Sequence, residues 1–128
     1  MKIVVSPNPY RDKQFKNARQ ACSILREAGA EVALCLPFDV DKTFEIPHDL
    51  RFQDIQKEIK TADMLICFGG DGTILHSSKI ATEHNLPILG VNIGTMGFIA
   101  ELEAGEIELL RKIPKGDYTV EERTMLDV

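Results

Sequence analysis

Between positions 69 and 73 the chain reads Gly69-Gly70-Asp71-Gly72-Thr73, one carboxylate set among three residues that lack side chains. Glycine lets a backbone come close to a ligand and tolerates left-handed conformations that other residues avoid. The apolar run Met64-Leu65-Ile66-Cys67-Phe68 precedes the group and a helix-like run follows from Ile74, so the group reads as a strand-to-helix turn. A helix that begins there points free N–H groups at a bound anion. Asp71 does not belong in a simple anion cradle, because its charge repels a phosphate unless a cation or a transferable proton stands between them. A carboxylate beside a phosphate cradle suits phosphoryl transfer. The plainer reading is a tight turn in which Asp71 or Thr73 caps the helix and no ligand binds. No Lys-Ser or Lys-Thr follows the glycines, as it would in a Walker-type loop, and no G-x-G-x-x-G follows the first strand. Charge neutralisation therefore falls to a cation or to another part of the chain.

The elements that must hold this turn can be read along the sequence. Lys2 to Ser6 is a short β-branched strand that ends in Pro7-Asn8-Pro9, which reads as a turn. A helix is expected from about Lys13, with Phe15, Ala18, Cys22, Leu25 and Ala28 on its apolar face and Gly29 as its stop. Glu31 to Leu36 reads as a second strand. Pro37 to Leu50, with two prolines, four acidic residues and isolated Phe38 and Phe44, reads as a long solvated connection, a lid over the site being the alternative. A short helix is expected over Phe52 to Ile59. Met64 to Phe68 and Pro87 to Asn92 are unbroken apolar runs, the pattern of strands buried on both faces. Ile74, Leu75, Ser78, Ala81 and Thr82 trace a helix up to Asn85, and a further helix is expected from Glu103 or Ala104 to Lys112. This alternation predicts an α/β fold, a three-layer Rossmann-like open parallel sheet with helices on both faces. Ligands bind such sheets at the carboxyl ends of the strands. The glycine-bearing loops at 69–73 and 94–97 both leave such ends, and they converge if their strands are neighbours.

A chain of 128 residues suits one compact domain, and 44% hydrophobic with 27% charged residues is ordinary globular composition. The net charge of −5 argues against a general binder of nucleic acid or anionic membrane. No apolar stretch approaches the ~20 residues of a membrane span, and the N-terminus lacks the pattern of a signal peptide, so a cytoplasmic protein is expected. Cys22, Cys35 and Cys67 each sit in an apolar context and are expected as buried reduced thiols. No Cys or His spacing matches a structural zinc site, and no residue is assigned as a metal ligand. Tyr118 to Val128 reads as a strand that stops without a partner, which suggests the front part of a larger protein.

Three blocks in this order resemble the amino-terminal domain of the NAD kinase family: Gly69-Gly70-Asp71-Gly72-Thr73-Ile74-Leu75, then Asn92-Ile93-Gly94-Thr95-Met96-Gly97-Phe98-Ile99-Ala100-Glu101-Leu102, then Glu122-Arg123-Thr124-Met125-Leu126. The resemblance covers nearly the whole chain. It implies that the parent enzyme phosphorylates the adenosine ribose 2′-hydroxyl of NAD with ATP and a divalent metal such as Mg²⁺ to give NADP. Asp71 matches the aspartate that takes the proton from that hydroxyl. Gly70, Asp71, Gly72, Thr73, His76, Asn92, Gly94, Gly97 and Phe98 match the nucleotide-facing positions. Thr73 is read as a helix cap or a phosphate contact, His76 as a ligand contact or a surface residue, Phe98 as a base stack or core, Asn92 as a ligand contact or a turn residue, and Arg123 as structural. The domain implied is 1–117, an α/β nucleotide-binding unit, with 118–128 a strand leading into a carboxyl-terminal β-rich domain. Family members carry there an Asn-Glu or Asn-Asp pair that grips the NAD ribose, and they form homo-oligomers. This chain has no such region, so the resemblance implies a fragment incomplete for catalysis. Thr95-Met96 also departs from the bulkier or more basic residue followed by Leu that the family usually shows.

Two other readings compete. A lipid kinase of the diacylglycerol or sphingosine type shares a similar glycine-aspartate loop, but Ile74-Leu75 stands where Asn-Glu is more usual there, and the second block ends in Met-Gly-Phe. The isolated chain is alternatively a non-catalytic nucleotide-binding domain.

Overall fold

A computed structural model describes residues 1–93 and 102–114. Five strands, β1 (Lys2–Pro7), β2 (Glu31–Leu34), β3 (Met64–Gly69), β4 (Ile88–Asn92) and β5 (Leu102–Glu103), form one sheet in the order β2-β1-β3-β4-β5. Every pairing is parallel. The α-helices are α1 (Lys16–Glu27), α2 (Ile55–Glu58) and α3 (Asp71–Glu83), and a 3-10 helix spans Ala104–Lys112.

Alternate strand residues face opposite sides of a sheet, and here both sides are apolar. Ile3, Val5, Ile66, Phe68 and Val91 pack with Phe15, Ala18, Cys22 and Leu25 around α1 and with Ile107 and Leu110 of the 3-10 helix. Val4, Ala33, Leu65 and Ile88 pack with Ile55 and Ile59 beside α2 and with Ile80 and Ala81 of α3. The expected three-layer architecture is thus present, and burial of β1 and β3 on both faces accounts for their unbroken apolar sequences.

Several boundaries differ from expectation for local reasons. Regular α1 begins at Lys16, because Gln14 and Phe15 take left-handed backbone angles (φ 57° and 56°). That conformation costs about 1 kcal/mol or more per residue. Two interactions offset it: Phe15 is fully buried, and the buried Asp12 carboxylate accepts the N–H groups of Asn17 and Ala18, both at 2.9 Å. Charge-assisted bonds of this kind to a helix start are strong. Gly29, at φ 100°, ends the helix as expected. Strand β2 stops at Leu34, with only an isolated bridge from Cys35 to Gln53 beyond it. The helix expected over 52–59 starts instead at Ile55, where Asp54 accepts the Gln56 N–H at 3.0 Å. Phe52 is thereby released to pack on Phe15, with ring centroids 4.9 Å apart.

The 37–50 connection is fastened to the body of the domain. Phe44 meets Phe15 and Tyr10 edge-on, and Arg19 forms a two-pronged ion pair with Asp49. The strand expected from Tyr118 and the block Glu122–Leu126, Arg123 included, lie outside the described residues. Among the described residues no helix is long and apolar enough to cross a membrane.

Two strand glycines fix how close α3 lies to the sheet. A Cβ on Gly69 would stand 2.7 Å from the Thr73 Cβ, and one on Gly90 would stand 2.9 Å from the Ile74 Cδ1. The first contact is with the stem of a β-branched side chain and the second with the tip of a flexible one. Gly69→Ala is expected to destabilise the domain by about 1–3 kcal/mol, and Gly90→Ala by less, as measured by urea unfolding at constant m-value.

All three cysteines are free and buried. Burial pushes the Cys35 and Cys67 thiols up to about 12 and raises Cys22 as well. The folded state therefore holds the neutral thiols. The stability they contribute is complete below the ordinary thiol value near 9 and is lost as pH climbs towards 12. The urea midpoint is expected to fall above about pH 9, less steeply in Cys67→Ala than in the unaltered chain, and Ellman's reagent should react with the thiols at pH 8 far faster in denaturant than in buffer.

Candidate functional site

In a parallel sheet of order 2-1-3-4-5, the connections leave β1 and β3 in opposite directions, which opens a crevice between their carboxyl ends. Two loops border it: the one after β1, starting at Asn8, and Gly69 to Thr73 after β3. The sheet thus brings the turn with the carboxylate to the point where such folds take ligands.

The turn is built with little slack. Gly70 is the N-cap of α3, with extended angles (φ −97°, ψ −171°), and as a glycine it makes no side-chain cap bond. The first intrahelical bond runs from the Ile74 N–H to the Gly70 carbonyl at 3.1 Å, so the N–H groups of Gly72 and Thr73 precede the helical ladder. Asp71 occupies the first helical position and is half-buried. A negative side chain there is also favoured by the helix dipole.

The three glycines of the turn are not there for a left-handed backbone. None of Gly69, Gly70 and Gly72 has a positive φ; among the described glycines only Gly29 does. Gly69 is required by the Thr73 contact. At Gly70 and Gly72 an added Cβ would meet nothing within 4 Å among the described residues. Gly72 lies in the first turn of a helix, where glycine costs up to ~1 kcal/mol relative to alanine, and no packing among the described residues compensates for it. Open space in front of two glycines is what a backbone-hugging ligand needs.

Thr73 does not cap α3. The residue is 8% exposed, and its Oγ1 accepts a hydrogen bond from the Asn8 Nδ2 at 2.8 Å. Asn8 was legible only as part of a turn, yet it ties the two crevice loops together. Its N–H donates to the Phe68 carbonyl at 2.8 Å, its carbonyl accepts from Arg11 and Asp12, and its Oδ1 accepts the Tyr10 N–H at 2.9 Å. The last bond fixes the amide orientation and so makes Nδ2 the group that faces Thr73. The Asn-Pro after a predicted strand was the only available signal, because its partner lies 65 positions away.

His76 lies one turn farther along α3 and faces the 37–50 connection. Its Nε2 is 2.8 Å from the Pro37 carbonyl oxygen, and its ring meets Phe38 edge-on at 6.3 Å. Phe38 in turn stacks on Tyr10, with centroids 6.0 Å apart and planes at 11°. Asn92, nearly fully buried, ends β4 directly opposite Gly69, and the next N–H, of Ile93, bonds the Gly69 carbonyl at 3.2 Å. The strands that lead to the two glycine-bearing loops are therefore neighbours, as convergence requires. Gly94, Gly97 and Phe98 lie outside the described residues.

No group of three His, Cys, Asp or Glu among the described residues forms a metal cage. A single carboxylate at an open turn suits a hard cation that keeps most of its waters and arrives on phosphate oxygens. A concavity of about 450 Å³ lined by Arg19, Arg26, Asp49 and Arg51 lies beside β2, with β1 between it and the turn, and it takes no part in this site.

An open parallel sheet, a glycine-rich turn at its switch point and a carboxylate on the first residue of the following helix place the chain in the Rossmann-like class of α/β domains. Comparison with known sequences narrows that class. Residues 2–118 match the family model described as ATP-NAD kinase N-terminal domain. The chain is 32% identical over 130 residues to an NAD kinase of Bacteroides fragilis, covering 100% of this chain and 45% of that protein. It is 30% identical over 131 residues to an NAD kinase of Acetivibrio thermocellus, covering 99% of this chain and 43% of that protein. With an NAD kinase of Natranaerobius thermophilus it shares 47% identity over 75 residues, 58% of this chain and 26% of that protein. The chain belongs to the ATP-NAD kinase N-terminal domain family, and it spans less than half the length of these relatives.

If the space in front of Gly72 belongs to a ligand, Gly72→Ala has effects of opposite sign. Thermal unfolding is expected to show a gain of ~0.5–1 kcal/mol, while titration calorimetry should show ATP affinity lowered roughly tenfold, about 1.4 kcal/mol. Equal ATP affinity in the two proteins would assign the open space to solvent.

Proposed function

We propose that this chain is the nucleotide-handling part of an NAD kinase, which transfers the γ-phosphoryl group of ATP to the adenosine ribose 2′-hydroxyl of NAD. The observation that carries the proposal is the position of Asp71, on the first residue of α3 at the switch point of the sheet, in a chain of this family. A hydroxyl is a poor nucleophile until a base within hydrogen-bond reach accepts its proton. In the proposed step the ribose oxygen bonds to the γ-phosphorus, the bond from that phosphorus to the β–γ bridging oxygen breaks, ADP departs, and Asp71 receives the hydroxyl proton.

The remaining groups bind and orient. The N–H groups of Gly72 and Thr73 face the phosphates, Gly70 and Gly72 leave room for them, and the Asn8–Thr73 bond holds the two crevice loops at a fixed separation. Asn92, Gly94, Gly97 and Phe98 form the second nucleotide-facing loop, and His76 borders the site through Phe38. Mg²⁺ carried on the ATP phosphates supplies charge neutralisation when bound. Residues 1–117 act as the nucleotide-binding domain and 118–128 as the strand leading to a β-rich domain that completes the NAD site. The working enzyme is a cytoplasmic homo-oligomer that acts on NAD and ATP.

The test is NADP formation from NAD, ATP and Mg²⁺, followed with an NADP-specific dehydrogenase, for this chain and for the chain with its carboxyl-terminal continuation. Activity is expected in the longer protein, and Asp71→Asn is expected to lower kcat by about 10²–10⁴-fold. A longer protein that phosphorylates diacylglycerol and leaves NAD untouched would replace this reading with the lipid kinase one.

A further inference from the structure

The loop after β1 carries an aromatic ring whose setting is fixed on several sides and whose surface is largely open. Tyr10 is 54% exposed, the most exposed large hydrophobic side chain of the described residues. Exposure of that extent usually accompanies a mobile side chain, yet this residue is tied at both its backbone and its hydroxyl. The Tyr10 backbone N–H donates to Asn8 Oδ1 at 2.9 Å, and the hydroxyl oxygen accepts the Asp41 N–H at 3.0 Å. Phe38 lies nearly parallel to it, and Phe44 meets it edge-on with centroids 5.4 Å apart.

The ring's position gives it a use. Asn8, which holds the Tyr10 N–H, also holds Thr73, and Phe38, which stacks on Tyr10, also meets His76. The row Tyr10, Phe38, His76 therefore runs from the β1 loop to the second turn of α3, along the mouth of the crevice that contains Gly70–Thr73. Arg11 and Lys13, both exposed, stand in the same loop and offset the negative charge a nucleotide brings to this acidic chain.

We propose that Tyr10, backed by Phe38, is the platform on which the adenine ring of a bound nucleotide stacks while its phosphates reach the turn at Gly70–Thr73. The proposal rests on the kinase reading for the placement of the phosphates. A base stacks on an aromatic face at little ordering cost when the face is already immobile. The Tyr10 hydroxyl secures the 37–50 connection, and more than half of the residue stays exposed beside Phe38 and Phe44.

The chain has no tryptophan and two tyrosines, Tyr10 and Tyr118, so the Tyr118→Phe variant leaves a single tyrosine whose ring protons are read directly by NMR. ATP with Mg²⁺, NAD, nicotinamide mononucleotide and tripolyphosphate are titrated in turn. Adenine stacking is expected to move the Tyr10 ring-proton signals upfield with ATP, with NAD or with both, and the pair of titrations shows which source supplies the base. Nicotinamide mononucleotide and tripolyphosphate, which lack adenine, should leave those signals in place. Tyr10→Leu keeps apolar bulk and is expected to weaken binding of the adenine-containing ligand by roughly tenfold or more, with tripolyphosphate affinity unchanged. Tyr10→Phe, which loses only the hydroxyl, should retain the affinity. Unaltered adenine-nucleotide affinity in a folded Tyr10→Leu protein would overturn the platform while leaving the kinase reading intact. Absence of any ATP or NAD binding by the unaltered chain would also overturn it, and the kinase reading falls as well only if the longer protein makes no NADP.

Discussion

Helix α3 can lie against the sheet at its observed distance only because two strand residues facing it have no side chain. Gly69 admits Thr73 and Gly90 admits Ile74, and together they set the depth of the first helical turn. The site follows from that depth. With α3 seated low, its first residue, Asp71, stands at the carboxyl end of β3 beside the loop from β1, and Thr73 is within hydrogen-bond reach of Asn8. A methyl group at position 69 would lift the turn and separate the loops. The glycines of the motif therefore divide by function: one serves packing, and two meet none of the described residues at the crevice.

The loop after β1 is the second half of the arrangement. It accepts strain at Gln14 and Phe15, offset by a buried aromatic ring and by a buried carboxylate bonded to the start of α1. Through Asn8 this loop is anchored to β3 and α3, and through Tyr10 to the 37–50 connection. Three segments distant in sequence thus meet at one end of the sheet and restrain one another. Loops that restrain one another in this way hold their side chains in a fixed arrangement before any ligand arrives.

Sequence patterning made the layers and most of the order of elements legible. The unbroken apolar runs at 64–68 and 87–92 identified strands buried on both sides, the apolar spacing of α1 identified its inner face, and Gly29 marked its end. The same reasoning misplaced the start of α1, because the compensation by Asp12 depends on a chain reversal that no periodicity reveals. It extended the helix before β3 to Phe52, whose ring is taken instead by Phe15. It also read Pro37 to Leu50 as a solvated connection, whereas Phe38, Phe44 and Asp49 fasten it to the domain.

What the sequence determined by itself was local chemistry: a carboxylate in a glycine turn between strand and helix, three thiols in apolar settings, and alternating elements that imply a parallel sheet. Such features are encoded by residue type and short spacing, so they survive without knowledge of the fold. The tertiary structure alone decided that Thr73 binds Asn8 instead of capping its helix, that His76 turns towards Pro37 and Phe38, and that Tyr10 stands at the mouth of the crevice. Each of these depends on strand order, which brings β1 beside β3 and joins residues as far as 65 positions apart. Strand order follows from the packing of both sheet faces at once, a constraint that no single stretch of the chain contains.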